Sequence, residues 1–166
     1  YDFSENISTN FINDDSSIVR LDDTLGSNAF CFGTNPGSSP STRFLQWKDA
    51  FLTSSVSSDI SLSFEITRGT YGTFDGTVTL EEPSPLQTNR AVYVQYRLSD
   101  GGDWQTTDTI LPGDLTAGNY SLTASSFDPG APAFVRIFQE VFSGQGTSNG
   151  YRYDNYAIRN LSITAS

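Results

Sequence analysis

Apolar and polar residues alternate with a period of two along most of this chain. Ile60, Leu62, Phe64 and Ile66 take turns with Ser61, Ser63 and Glu65, the signature of a strand with one buried and one wet face. Val92, Val94, Tyr96 and Leu98 do the same against Tyr93, Gln95 and Arg97. Tyr120, Leu122 and Ala124 repeat the pattern between Ser and Thr, and Val78 and Leu80 do so in a shorter run. Ala133 to Phe142 is apolar on both phases, with Val135, Ile137 and Val141 on one and Phe134, Phe138 and Phe142 on the other. Such a strand is expected to lie centrally, covered on both sides.

Turn residues separate these runs: Asn35-Pro36-Gly37, Asp75-Gly76, Asp100-Gly101-Gly102, Pro112-Gly113-Asp114 and Asp128-Pro129-Gly130. No segment carries a helical stripe. Leu45 to Leu52 comes nearest, but its apolar residues make no clean face, so it reads as two short strands or a strand plus one turn. Short strands punctuated by Gly and Pro predict an all-β fold, an antiparallel sandwich or barrel. No repeat or linker interrupts it, and residues 1–166 read as a single domain. The final run has a phase conflict, since Tyr156 and Ile158 share one face while Leu161 and Ile163 share the other. A bulge near Arg159-Asn160 would turn both pairs inward; otherwise both faces must be covered.

Composition narrows the chemistry. Histidine and methionine are absent, Cys31 is the one cysteine and Lys48 the one lysine. Histidine acid–base catalysis, Cys/His zinc sites and an intrachain disulfide are thereby excluded. Cys31, between Phe30 and Phe32, reads as a small buried hydrophobe. The net charge of −10 leaves no basic face for phosphate, so no nucleic-acid partner is expected. No apolar run reaches the roughly 20 residues of a membrane-spanning helix, so no membrane insertion is expected. The acidity fits solubility, salt or a divalent cation. The chain opens on Tyr1, as a processed protein or a segment of a longer one would. With sequons at Asn6, Asn119 and Asn160 and abundant Ser and Thr, the sequence points to an extracellular or cell-surface location.

Three stretches, in order, resemble the jelly-roll modules of reelin repeats and MAM domains. They are Tyr1-Asp2-Phe3-Ser4-Glu5; the hairpin Ala91 to Trp104, AVYVQYRLSDGGDW; and the C-terminal run from Phe134-Val135-Arg136-Ile137 to Asp154-Asn155-Tyr156-Ala157-Ile158-Arg159-Asn160-Leu161. The chain is also similar to carbohydrate-binding modules. The resemblance implies a two-sheet β-sandwich of jelly-roll type, with a concanavalin-like or galactose-binding-like layout. It implies an adhesion or recognition role, with a glycan or an extracellular protein as ligand and neighbouring modules or subunits as partners. It also implies one structural calcium ion, with Asp2, Glu5 and Asp154 as candidate ligands. The family's closing aspartate falls on Arg159, which removes one ligand from that set.

The residues themselves favour binding over catalysis. A jelly-roll glycosidase needs two carboxylates on one strand face, and the strand from Ile60 to Ile66 carries only Glu65 there, with Asp59 at its start. A lyase lacks its histidine, and Arg136 reads as the ion-pair partner of Glu140 beside aromatics. Sugar-binding modules use exposed rings for sugar C–H faces and polar groups for hydroxyls. Tyr71 in Gly69-Thr70-Tyr71-Gly72, with Tyr151, Tyr153 and Asn155 after the loop from Gly144 to Gly150, supply both. These tyrosines can equally cap the core with their hydroxyls wet. Trp47 and Trp104 are expected to close the core. The expected function is a non-catalytic extracellular adhesion or recognition module that takes a glycan. The alternative is a subunit of a self-assembling filament or tandem adhesin array, and a glycosidase or lyase ranks below both.

Overall fold

The structure is a computed structural model that describes residues 11–13, 19–22, 29–32, 43–51, 59–68, 70–71, 78–79, 91–116, 119–139 and 156–165. Two five-stranded antiparallel sheets face each other. The first has the order β1 (Phe11–Asn13), β4 (Arg43–Trp47), β11 (Phe134–Gln139), β8 (Val92–Arg97), β9 (Gln105–Ile110). The second has the order β10 (Ser121–Phe127), β5 (Ile60–Arg68), β12 (Tyr156–Ala165), β3 (Ala29–Phe32), β2 (Val19–Asp22). A small ribbon pairs β6 (Thr70–Tyr71) with β7 (Val78–Thr79). This is the expected all-β sandwich; the runs that the sequence pattern marked form β5, β8, β10, β11 and β12, while β1, β2, β3 and β9 are strands that it did not mark.

The core lies between the two inner faces. Leu45, Val94, Val135 and Ile137 enter it from the first sheet, and Ile60, Leu62, Phe64, Ile66, Tyr156 and Ile158 from the second, each 1% exposed or less. Trp47 belongs to this core as expected, packed against Phe11 with ring centroids 5.2 Å apart and against Phe51 at 5.8 Å. The stretch from Leu45 onward is a strand followed by a bend, after which Phe51 makes an isolated bridge to Ala133.

The phase conflict in β12 is resolved by a bulge. Ile158 pairs with Ile66 and Arg159 with Glu65, and then the register shifts so that Ser162 meets Ser63. Asn160 takes φ +52° inside the shift, a left-handed conformation that Asn tolerates better than most residues. Tyr156, Ile158 and Leu161 are all buried as a result. On the outer side, Arg159 Nε donates to Glu65 Oε2 at 2.6 Å and Asn160 Nδ2 donates to Oε1 at 3.1 Å. The Arg159 guanidinium also lies over the Tyr120 ring, 3.8 Å from its centroid. These hydrogen bonds, Arg159 first and Asn160 second, hold the Glu65 carboxyl below its ordinary value of 4.5. A lowered carboxylate pKa stabilises the fold above the ordinary value, and that contribution is lost as pH falls through the lowered one. In thermal melts, Glu65→Gln is therefore expected to lower the midpoint modestly at pH 6, with the gap to the parent protein closing below about pH 4.

One strand reverses its expected orientation. In β10, Leu122 pairs with Glu65 and Ala124 with Ser63, which places both on the outer side. Leu122 is 75% exposed. The opposite phase faces the other sheet instead, where Phe127 stacks on Tyr96 at 5.2 Å and the Ser125 and Thr107 hydroxyls meet at 3.3 Å. β10 is an edge strand, so its inner face needs less apolar surface than a central strand does. The contact between β9 and β10 sets its phase.

Candidate functional site

The outer face of the first sheet is built from the residues that alternate with the core. Leu45, Val94, Val135 and Ile137 point inward, so Phe44 and Gln46 of β4, Tyr93, Gln95 and Arg97 of β8, and Phe134, Arg136 and Phe138 of β11 point outward. Register aligns them in rows across the sheet: Phe44, Phe138 and Tyr93 in one, Gln46, Arg136 and Gln95 in the next, then Phe134 and Arg97. The rows alternate ring and polar character. Every ring in them is partly exposed.

The middle row is held in place by its own contacts. Arg136 Nε donates to Gln95 Oε1 at 2.8 Å, and Gln95 Nε2 donates to Thr106 Oγ1 at 3.0 Å. The Arg136 guanidinium packs over the Trp104 ring at 4.0 Å and over the Phe138 ring at 4.1 Å. Arg97 shares the same indole at 4.7 Å and lies over Phe134 at 5.4 Å. Its Nη2 pairs with Asp100 Oδ1 at 2.6 Å, in the turn that joins β8 to β9. That turn closes with Gly102 N donating to Ser99 O at 3.1 Å, and Gly101 at φ +80° supplies the left-handed position it requires. Tyr93 and Phe138 rings sit 6.3 Å apart, tilted by 33°.

Burial, and then the neighbouring charge of Arg97, push the Arg136 guanidinium down to about 10. It stays cationic at neutral pH. A chain of net charge −10 thus keeps two cations side by side on this face. The outward positions of β4, β8 and β11 named above carry no carboxylate, so these positions supply no acid pair of the kind a glycosidase uses. The face offers rings for the C–H faces of a sugar and guanidinium donors for its oxygens, while the buried Gln46 and Gln95 lie beneath, with the Gln95 amide bonded to Arg136 and Thr106.

Some sequence expectations are corrected here, and others concern residues outside those described. Trp104 does not close the core; it lies half-exposed on the outer face between the two arginines. The second phase of β11 is not covered but forms this platform, although β11 is central as expected. Arg136 is bonded to Gln95, and Glu140 lies outside the described residues. Tyr71 belongs to the β6–β7 ribbon, paired with Val78, and not to an irregular loop. Tyr151, Tyr153 and Asn155, and the calcium candidates Asp2, Glu5 and Asp154, lie outside the described residues. Among the described residues, no three Asp, Glu, Cys or His side chains come together as a metal site. The signal for the platform was present in the sequence: strand residues on the wet phase of β8 and β11 that are aromatic, Gln or Arg where Ser and Thr would suffice.

No protein-family model matches the chain, and no curated protein matches it in sequence. Solved structures do match its fold. A point mutant of the family 29 carbohydrate-binding module CBM29-2, complexed with mannohexaose, aligns over 93% of this chain and 79% of its own, at TM-score 0.50 and 16% identity. A second module of the carbohydrate-binding family 16 aligns over 90% and 86%, at TM-score 0.51 and 11% identity. The CBM22-1 xylan-binding domain of Xyn10C from Paenibacillus barcinonensis aligns over 98% and 90%, at TM-score 0.52 and 10% identity. The sandwich is therefore similar in fold to carbohydrate-binding modules, while its likeness to reelin repeats and MAM domains stays one of sequence motifs.

Proposed function

We propose that this protein is a non-catalytic carbohydrate-binding module that takes a glycan on the outer face of its first sheet. The observation that carries this reading is the partly exposed Arg136, seated in a row with the buried Gln46 and Gln95 and flanked by the partly exposed rings of Phe44, Phe138, Tyr93 and Trp104. A sugar chain needs this mixture, since its ring faces are apolar and its edges are hydroxyls. The fold likeness to modules described with mannohexaose and xylan agrees with it. An extracellular place follows from the ligand, because polymeric glycans of walls and matrices lie outside cells. Among the described residues, no helix is long and apolar enough to cross a membrane.

Affinity electrophoresis through gels containing soluble mannan, xylan, β-glucan or polyuronate tests the reading. At least one polymer is expected to retard the protein. Tyr93→Ala is expected to weaken that retardation several-fold, since each well-packed ring at an interface centre contributes about 1–3 kcal/mol. Unretarded migration in every gel overturns the proposal.

A further inference from the structure

Building on the carbohydrate reading, we propose that the glycan is acidic, and that Arg97 and Arg136 receive a sugar carboxylate beside Trp104. The fold leaves the charge of Arg136 uncompensated. Among the described residues no carboxylate pairs with Arg136; its Nε is bonded to an uncharged amide. Its two Nη groups have no partner there and are open to solvent, since they are absent from the buried unpartnered atoms. The ring contacts cover the guanidinium face, which leaves the edge as the place where a ligand can bond. The edge of a guanidinium is a fork that fits a planar carboxylate with two parallel hydrogen bonds.

Arg97 adds to this. Its acid partner, Asp100, is a turn residue whose side chain is 86% exposed, and its Nε is buried with no hydrogen-bond partner among the described residues. The proximity of the two cations is unfavourable in the free protein, and their partial burial raises that cost. A neutral sugar supplies hydroxyl acceptors but leaves the charge as it was. A uronate removes it. In a protein that carries nineteen acidic residues and nine basic ones, two adjacent cations on the face with the sugar-compatible rings are a selective feature.

Binding to polygalacturonate, to the same polymer fully methyl-esterified, and to a sulfated galactan distinguishes the sources of negative charge. The free acid is expected to bind at least tenfold more tightly than the ester, a preference that shrinks as salt is raised from 20 to 300 mM. The sulfated polymer is expected to bind more weakly than the uronate, because a tetrahedral sulfate does not match the planar fork. Arg136→Gln and Arg97→Gln are each expected to reduce the preference for acid over ester to less than threefold, with melting curves confirming the fold. Equal binding of acid and ester overturns the acidic-ligand proposal and leaves carbohydrate binding standing. Tighter binding of the sulfated polymer overturns the carboxylate assignment. A preference that survives in both variants removes the two arginines from the site. Failure of all polymers, neutral ones included, overturns the carbohydrate reading itself.

Discussion

Trp104→Ala is expected to reduce glycan affinity by thirtyfold or more while moving the thermal midpoint by only a few degrees. The indole is the shared surface for both arginines, with Arg136 at 4.0 Å and Arg97 at 4.7 Å from its centroid. Its removal deletes a ring the sugar would pack on and also releases the two guanidiniums from a fixed position. Both losses fall on binding. Interface aromatics of this kind carry about 2–4 kcal/mol each, which corresponds to roughly 30-fold to 1,000-fold in affinity. Stability suffers less, because Trp104 is half-exposed and does not belong to the buried core cluster. Titration calorimetry and a melting curve on the same preparation check both halves. Trp104→Phe is expected to recover part of the affinity, since a smaller ring still supports the cations. A midpoint drop as large as that of a core deletion would return Trp104 to the structural role its sequence position suggested.

Phe64→Ala provides that standard and is the second large effect. Phe64 is fully buried in β5, between Ser63 and Glu65, whose partners Ser162 and Arg159 bracket the β12 bulge. Its ring therefore fills space where the neighbouring strand departs from regular pleat. Neighbours that follow a bulge cannot slide inward to close a cavity without breaking the register that buries Leu161. The loss is expected near the upper part of the 3–5 kcal/mol typical of Phe→Ala in a core. At this chain length it should lower the midpoint by roughly 6–20 °C, and it should be read by calorimetry at pH 7. A drop under 3 °C would show that this part of the interior collapses freely.

Of these two aromatics, Phe64 is legible in the sequence as a core residue, while Trp104 lies on the face opposite to the one its sequence position suggests. Period two identified β5 and β8 because each buried face repeats strictly along one strand, and in β12 it exposed a phase conflict with a bulge as one of two solutions, which the register then decided. It failed for β10, whose apolar phase turned outward: the phase of an edge strand is set by its neighbours, here the Thr107 and Tyr96 contacts to Ser125 and Phe127. It failed for Trp104 for a related reason. A tryptophan at the end of a hairpin turn can pack on either face, and only the register of β8 with β11 brings Arg97 and Arg136 to one ring. The platform itself was half legible. Tyr93, Gln95 and Arg97 were seen on a wet face, and Phe134, Arg136 and Phe138 on one phase. That these two sets lie on adjacent strands is a fact of topology, with β8 and β11 separated by thirty-six residues in sequence and joined in space.

The bulge at Asn160 makes β12 a strand of two parities. Before it, even-numbered residues such as Tyr156 and Ile158 face the core; after it, odd-numbered residues such as Leu161 and Ile163 do. Loss of Asn160 would restore plain alternation with Leu161 and Ile163 still inward, whereas straightening the strand with Asn160 in place would turn the Ser162 and Thr164 hydroxyls inside and two large aliphatic chains into water. The last third of the sheet thus depends on a count of residues as much as on their identity.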